Sequence, residues 1–349
     1  MNHYKETIRL GVPIMLGQLG IIIVGFADNI MVGHHSMQEL AAASFVNNFF
    51  NLAFIFGMGF SYGLTPIVGR LFAQKQYAEV GAMLKNSLAI NFIIGILLSL
   101  CMLFLLFNLD WLNQPKELYP HIIPYYILQL FSVVFTMLFN SFKQFSDGTT
   151  DTLTPMYVML SANVVNIIGN YFLIYGHGGF PELGLTGAGI STLFSRILTL
   201  VAFCWLFCRR KKYAEYVKGF KQSVINRESI RNLVRLGLPV GFQMGVETGS
   251  FSLSVIMMGW IGSTALAAYQ VGGVITTLGF MLYYGIGAAV SIRVSNFNGS
   301  RNNQEIRKAA QAGFVIINTC ALLFIAFLLL FRTRIGYLFT PEEEVVKLV

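Results

Sequence analysis

The sequence predicts an all-α polytopic membrane protein in which one helical unit is followed by a second, parallel copy of itself. Three observations support this fold class. Of the 349 residues, 55% are hydrophobic and only 11% are charged, too few to cover a soluble globule of this size. The hydrophobic residues gather in runs long enough to cross a hydrocarbon core of about 30 Å. Finally, Arg9-Leu10-Gly11-Val12-Pro13 recurs as Arg235-Leu236-Gly237-Leu238-Pro239, an offset of 226 positions that other pairs such as Gly59 and Gly285 also keep.

Nine apolar runs are predicted to be membrane-spanning helices. They cover approximately residues 10–32, 45–69, 88–109, 122–142, 153–175, 185–207, 233–258, 269–292 and 312–331. Lys and Arg follow the even-numbered runs, most densely between Arg209 and Arg231, while the connections at 33–39, 176–184 and 259–265 contain neither. Because positive charge is enriched in cytoplasmic loops, the amino terminus is predicted to lie in the cytoplasm.

The polar stretch between the sixth and seventh runs is predicted to separate the two copies. We expect an N-terminal six-helix lobe at 1–208, a cytoplasmic basic linker at 209–232 and a partial C-terminal lobe, helices seven to nine, at 233–349. Six is an even number, so both lobes enter the membrane in the same orientation and are related by a pseudo-twofold axis along the membrane normal. Only three of the six helices expected in the second lobe fit. The sequence is therefore expected to be truncated at its C-terminus, where Glu342-Glu343-Glu344 and the following valines resemble the first turn of a tenth helix.

Composition and motifs argue against several classes of function. The net charge of +8 lies in loops rather than on a continuous surface, so nucleic acid is not an expected partner. All five histidines lie at the terminus or near span ends, and the segment His34 to Glu39 does not match the helical zinc motif. No P-loop or nucleophile elbow is present. We therefore expect neither an enzyme nor a nucleotide-driven pump, and no bound cofactor.

Three ionisable residues stand inside apolar runs, where a charge persists mainly if it faces protein or a wet cavity. They are Asp28, Arg196 and Glu247. The repeat places Glu247 opposite Ile21, seven residues or about two helical turns before Asp28, so the two acids should project from equivalent faces of equivalent helices. Asp28 could instead be an interfacial carboxylate, and Glu247 a neutral structural one.

The fifth and sixth predicted helices add uncharged polar groups. Asn163, Asn166 and Asn170 share one face of the fifth helix, and Thr192 shares a face of the sixth with Arg196. Amide oxygens can coordinate a hard cation or join a proton network, and they equally suit hydrogen bonds between helices. Asn163 and Arg196 are candidate cavity-lining residues; the long stem of Arg196 allows it to pair with an acid of the first lobe or to reach a wet cavity.

Several of these residues lie in motifs that resemble a known family. The motifs are Arg9-Leu10-Gly11-Val12-Pro13, Ala27-Asp28-Asn29-Ile30-Met31-Val32-Gly33, the segment from Asn166 to Gly176, Gly187-Ala188-Gly189-Ile190-Ser191-Thr192 and Leu338-Phe339-Thr340-Pro341. Together they are similar to the multidrug and toxic compound extrusion (MATE) transporters, and the chain resembles the norfloxacin-exporter branch in particular. These are bacterial exporters of the cytoplasmic membrane, in which two six-helix lobes exchange Na⁺ or H⁺ for organic, often cationic, drugs.

The resemblance implies specific roles. Asp28, Asn166, Asn170 and Thr192 match the first-lobe cation or proton site of the family, and Glu247 matches an acid of the seventh helix in the branch. It implies no metal beyond a possible Na⁺ at that site. Partners would be small organic cations and the lipid bilayer, without nucleotide. Two alternatives stay open: a lipid-linked oligosaccharide flippase of related architecture, whose cavity would use Arg196, and a membrane scaffold or remnant that transports nothing.

Overall fold

The computed structural model describes residues 2–112, 115–332, 334, 335, 337, 346 and 348, and the regular structure in these residues is entirely helical. Short 3-10 helices occupy Leu109–Leu112, Lys116–Leu118, His177–Gly179 and Lys211–Tyr213. The α-helices are α1 His3–His35, α2 Met37–Ser61, α3 Leu64–Ala73, α4 Tyr77–Phe107, α5 Tyr119–Gly148, α6 Leu153–Tyr175, α7 Gly184–Arg209, α8 Ala214–Gln222, α9 Arg227–Ile261, α10 Ser263–Gly299 and α11 Asn303–Phe331. The motif Leu338-Phe339-Thr340-Pro341 and the acidic start of the predicted tenth helix, Glu342-Glu343-Glu344, lie outside the described residues.

The chain is a multi-pass membrane protein. Within the described residues, eight helical segments are long and apolar enough to cross a bilayer: α1, the α2–α3 pair, α4, α5 with the turn before it, α6, α7, α10 and α11. The predicted seventh span at 233–258 forms as α9 but is not among the eight. Its sequence includes Gln243, Glu247 and Thr248, and these polar residues make it less apolar than its neighbours.

Helix boundaries follow the sequence repeat. With the offset of 226 residues, the end of α1 at His35 matches the end of α9 at Ile261, the starts of α2 and α10 match at Met37 and Ser263, and the starts of α4 and α11 match at Tyr77 and Asn303. The turns before α4 and α11 also agree in backbone conformation, because Lys75 (φ 59°) and Arg301 (φ 55°) are both left-handed. Positive φ is uncommon outside glycine, so the two turns repeat one local structure.

The second predicted span is interrupted, which the sequence prediction of one continuous helix at 45–69 did not anticipate. α2 ends at Ser61 and α3 begins at Leu64. Pro66 explains the break: a proline has no N–H to donate to the carbonyl group of Tyr62, and its ring clashes with that carbonyl in a continuous helix. The repeat places Ile292 at the position of Pro66, and α10 runs unbroken through it.

The predicted linker at 209–232 is partly helical. α7 continues to Arg209, α8 lies within the linker, and α9 begins at Arg227 rather than near residue 233. α8 packs closely against the start of α4. The amide N–H of Asn226 donates to Asn86 Oδ1 at 2.7 Å, and Lys85 Nζ donates to the carbonyl oxygen of Ser223 at 2.6 Å. The linker is therefore fixed to the first repeat.

Each copy's first helix packs against the second helix of the other copy, α1 on α10 and α2 on α9. Two glycines allow the backbones to approach. A Cβ on Gly285 would lie 2.8 Å from the carbonyl oxygen of Gly11, and one on Gly237 would collide with the carbonyl oxygen of Phe60. Gly11 and Gly237 are counterparts in the repeat, so the two contacts are related by the same pseudo-symmetry.

The hydrophobic packing of these two contacts differs. Leu233 of α9 is 3% exposed and belongs to the main core, which also includes residues of α2 to α8. The contact between α1 and α10 has a small cluster of its own, Leu10, Ile14, Ala289 and Ile292. α9 is thus continuous with the core of the first repeat, whereas α10 meets α1 at a separate patch.

Candidate cation-binding site

Asp28 of α1 faces α6 and α7 and lies partly buried among their polar groups. Asn170 Nδ2 donates to Asp28 Oδ1 at 2.5 Å. The amide of Asn166 fits its neighbours best with its nitrogen toward Asp28, to which it then donates at 3.1 Å, while its oxygen accepts from the N–H of Thr192 at 3.2 Å. Three helices therefore supply one compact group around a single carboxylate.

The local sequence explains this convergence. Asn166 and Asn170 are one turn apart on α6, and both are almost completely buried. Ser191 Oγ donates to the carbonyl oxygen of Asn166 at 2.8 Å, which holds α7 against α6 beside Thr192. Toward the end of α1, Tyr175 Oη donates to the carbonyl oxygen of Met31 at 2.8 Å and ties α6 to α1 near Asp28.

One polar atom of this group has no partner. Asn170 Oδ1 is buried and accepts no hydrogen bond from the described residues. A buried carbonyl oxygen without a donor costs free energy unless a cation or a proton-bearing group occupies the space before it. The carboxylate of Asp28, the amide oxygen of Asn170 and the hydroxyl of Thr192 supply oxygen atoms, the ligand type that hard cations prefer. The group can therefore accept either a small hard cation or a proton.

Arg196 lies one turn beyond Thr192 on α7 and is held by neutral groups. Its Nη1 donates to Gln129 Oε1 at 2.9 Å and to Ser132 Oγ, and its guanidinium group stacks 4.3 Å from the ring centroid of Phe54. Of the alternatives that the sequence left open, no ion pair with an acid forms within the described residues. Arg196 is close enough to Asp28 to interact with its charge.

Sequence reasoning missed the rest of this network. Gln129 Nε2 donates to Tyr125 Oη at 2.9 Å, and Tyr125 Oη donates to Asn47 Oδ1 at 3.0 Å. The available signal was the spacing of Tyr125, Gln129 and Ser132, which places three polar groups on one face of α5 within its mainly apolar first half. The network connects Arg196 to α2.

Two predicted residues lie apart from the carboxylate. Asn163 is packed against the α1 backbone at Gly20, and its Nδ2 atom is buried without a partner in the described residues. Glu247 is exposed on α9 and makes no hydrogen bond or ion pair with any described residue. The structure therefore joins Asp28, Asn166, Asn170 and Thr192 and leaves Glu247 separate.

A membrane bundle of parallel repeats with a carboxylate–amide group between its helices is typical of a secondary transporter. The chain belongs to the MatE family, whose model matches residues 13–172 and 239–349. The two matched segments start at Pro13 and Pro239, which are counterparts in the repeat.

Curated relatives and solved structures agree with this family. The chain is 28% identical to the probable multidrug resistance protein NorM of Bradyrhizobium diazoefficiens, over 98% of the chain and 74% of the relative. It is 28% identical to the multidrug resistance protein NorM of Vibrio cholerae, over 100% of the chain and 77% of the relative. Its fold matches the MATE structure in the straight conformation with a TM-score of 0.87, at 22% identity, covering 100% of this chain and 77% of that one. The eukaryotic MATE transporter AtDTX14 matches with a TM-score of 0.85 at 20% identity, covering 99% of this chain and 76% of that one.

Proposed function

We propose that this protein is a secondary antiporter that exports organic, often cationic, drugs in exchange for Na⁺ or H⁺, and that Asp28 binds the coupling ion. The hydrogen bond between Asn170 and Asp28, beside an unpartnered Asn170 Oδ1, is the observation that carries the proposal. The names of the NorM relatives support the class of substrate. No resident cofactor is required, because the ion itself is the second substrate.

The site has the chemistry that coupling requires. An ionised Asp28 accepts hydrogen bonds from Asn166 and Asn170, and binding of a proton or a cation neutralises it. Neutralisation removes the electrostatic reason for the amides to converge on the carboxylate, so the packing of α1 against α6 depends on occupancy. Each charge that crosses 100 mV supplies about 2.3 kcal/mol, enough to shift a two-state equilibrium by more than tenfold.

The same proposal extends to architecture and location. It divides the chain into a six-helix lobe at 1–208, a linker at 209–232 and a lobe represented by three helices at 233–349, with drug passing through a cleft between the lobes. The matching helix boundaries of the two copies support this division. The basic linker supports a cytoplasmic amino terminus, and the bacterial relatives support the inner membrane. In this arrangement Glu247, exposed on α9, is a second coupling carboxylate.

The flippase alternative is less well supported. A flippase for a pyrophosphate-linked lipid needs basic side chains that are free to bind phosphate. The side chain of Arg196, the basic residue that suggested this class, is instead hydrogen-bonded to Gln129 and Ser132 and stacked on Phe54.

Efflux of a cationic dye from cells that express the full chain tests the proposal. We expect the chain to lower dye accumulation relative to empty vector, Asp28→Asn to reduce the efflux rate at least about tenfold because it loses a charge-dependent interaction, and the double variant with Glu247→Gln to abolish it. Asn163→Ala is the control, since Asn163 is outside the group around Asp28. Undiminished efflux by the double variant would contradict the coupling role, and no efflux from a chain present in the membrane would favour the non-transporting scaffold.

A further inference from the structure

A polar cluster joins the beginning of α1 to the second repeat. Arg293 of α10 is 4% exposed. Its Nη1 donates to the carbonyl oxygen of His3 at 2.7 Å and to Thr7 Oγ1 at 2.7 Å, and its Nη2 lies 2.8 Å from His3 Nδ1. The other ring nitrogen of His3, Nε2, lies 3.1 Å from Glu305 Oε2 of α11. One imidazole therefore bridges a buried guanidinium group and a carboxylate.

The pseudo-equivalent contact on the other side of the molecule keeps a carboxylate, Glu79 in place of Glu305, but lacks the arginine and the histidine. At the offset of 226 residues, Arg293 corresponds to Ile67, His3 to Ser229 and Thr7 to Leu233. Ile67 and Leu233 are buried members of the main hydrophobic core. The linker adds further bonds on that side, since it connects α7 to α9 and is fixed to α4. The α2–α9 contact is thus apolar at these positions and tethered by the linker, while the α1–α10 contact adds a polar cluster to its small apolar patch.

We infer that His3, Arg293 and Glu305 form a cytoplasmic latch between the two repeats, which opens when His3 is protonated. The inference rests on the proposed transport function, in which the lobes separate on the cytoplasmic side. Hydrogen bonds of a polar contact are replaced by water when it separates, whereas an apolar contact exposes hydrophobic area. The contact between α1 and α10 is therefore the one that separates, and the contact between α2 and α9 is the one about which the lobes rotate.

The geometry fixes the protonation state of the closed latch. A guanidinium group has only donors, so His3 Nδ1 must be the acceptor and the proton of the neutral imidazole must lie on Nε2, facing Glu305. Protonation of Nδ1 removes that acceptor and sets a second positive charge against Arg293. The charged groups that face His3 are Arg293 of α10 and Glu305 and Lys308 of α11, while Glu6 of α1 faces Arg293.

The surroundings of the buried Arg293 determine whether protonation of His3 strengthens or weakens the latch. An imidazolium ion attracts Glu305 more strongly, but Glu305 is partly exposed and already bonded to Lys308 at 3.0 Å. Exposed ion pairs contribute little, whereas repulsion beside the buried Arg293 acts in a low dielectric. Acidification of the cytoplasm therefore weakens the latch and increases the population that is open to the cytoplasm.

Distances between spin labels on the full chain in lipid nanodiscs test the latch. In a background without the four native cysteines, labels at Tyr4 and Gln311 report the latch side, where both residues line a cavity of about 340 Å³. Labels at Ala82 and Ser229, which line the pseudo-equivalent cavity of about 300 Å³, report the side of the α2–α9 contact. Measurements at about pH 8 and about pH 5 compare the neutral imidazole of His3 with its protonated form.

We expect the long-distance population at Tyr4–Gln311 to rise at least about threefold at the acidic pH while Ala82–Ser229 stays unchanged. His3→Gln keeps an acceptor toward Arg293 and a donor toward Glu305 but does not titrate, so it should hold the short distance at both pH values. Arg293→Gln should show the long distance between the labels at Tyr4 and Gln311 at both pH values. A wild-type chain without a pH response, or a His3→Gln variant that retains it, would overturn the latch.

No drug and no transport are needed for this measurement. If the antiporter proposal is wrong, the cells show no dye efflux. A normal pH response of the labels in a chain without efflux therefore leaves the latch standing, while efflux with pH-independent distances removes the latch alone.

Discussion

α1 and α9 occupy equivalent positions in the two repeats, yet only α1 meets polar partners in its second half. The first half of each helix is packed against protein, at Leu10 in α1 and at Leu233 in α9. Farther along, Asp28 of α1 accepts a hydrogen bond from an amide of α6. On α9, Glu247 is exposed, and Ser254, the counterpart of Asp28, donates to the backbone of its own helix. The same helix register therefore yields a binding group only where other helices bring polar partners to it.

The largest expected effect tests the packed first half of α9. Leu233→Ala should lower the free energy of unfolding by about 3 kcal/mol, because it leaves a cavity in the main core. Leu236→Ala on the same helix is the matched control and should cost less than about 1 kcal/mol, since Leu236 is 43% exposed. Thermal or denaturant unfolding in detergent measures both. Equal losses of unfolding free energy in the two variants would mean that Leu233 does not anchor α9 in the main core.

The polar partners of α1 are tested by Asn170→Leu, which removes the donor to Asp28. A hydrogen bond to a charged group contributes about 2 kcal/mol, so the affinity for the coupling ion should change by about thirtyfold. Titration of the full chain with Na⁺ at alkaline pH, and with protons in the absence of Na⁺, gives the half-saturating concentrations. Asn163→Leu, seven residues or about two turns from Asn170 on α6, should leave them within about twofold. Identical affinities for wild type and Asn170→Leu would remove Asn170 from the site.

The smallest expected effect concerns the segment that leads into α9. Asp151 accepts hydrogen bonds from Lys212 Nζ at 2.5 Å and from Tyr213 Oη, which ties the linker to the start of α6. Burial alone would raise the pKa of Asp151, but the hydrogen bonds from Lys212 and Tyr213 outweigh it and the pKa lies below its usual value. Asp151→Asn should therefore destabilise the protein by about 1 kcal/mol at neutral pH.

The sign of the pH dependence follows from that lowered pKa. A carboxyl group with a lower pKa in the folded state stabilises the fold above its unfolded pKa of about 3.9, and this stabilisation is lost as the pH falls further. The difference in unfolding free energy between wild type and Asp151→Asn should thus be constant from pH 7 to about pH 5 and shrink below about pH 4. A difference that grows on acidification would show that the linker is held by other groups.

Much of this fold is predictable from sequence because it depends on length, hydropathy and an exact repeat. Eight of the nine predicted spans coincide with helices that are long and apolar enough to cross a bilayer. Asn166, Asn170 and Thr192 do group with Asp28, a prediction that needed helical spacing and a family resemblance. The break before α3 was missed, although Pro66 carries its cause. An apolar run indicates that a segment lies in lipid, but it does not indicate whether one helix continues through the whole segment.

Interactions between distant segments could not be predicted. Arg293 stands at the end of an apolar run and looks like an ordinary cytoplasmic cation, and His3 lies 290 residues before it. The partners of Arg196 were equally hidden, because Gln129 and Ser132 are neutral and carry no complementary charge to search for. A single sequence contains residue types and spacing, whereas the choice of partner is made by tertiary packing.

The unbroken α10 has a mechanical consequence. Its 37 residues form a continuous helix about 55 Å long, while its counterpart is interrupted at Tyr62 and Gly63. A helix of this length acts as a lever: a tilt of about 10° around the end at Ser263 moves the end near Arg293 by about 10 Å. Separation of the latch by the width of a helix would thus need only a small rotation of α10 as a whole, and the interrupted α2–α3 pair would absorb the bending.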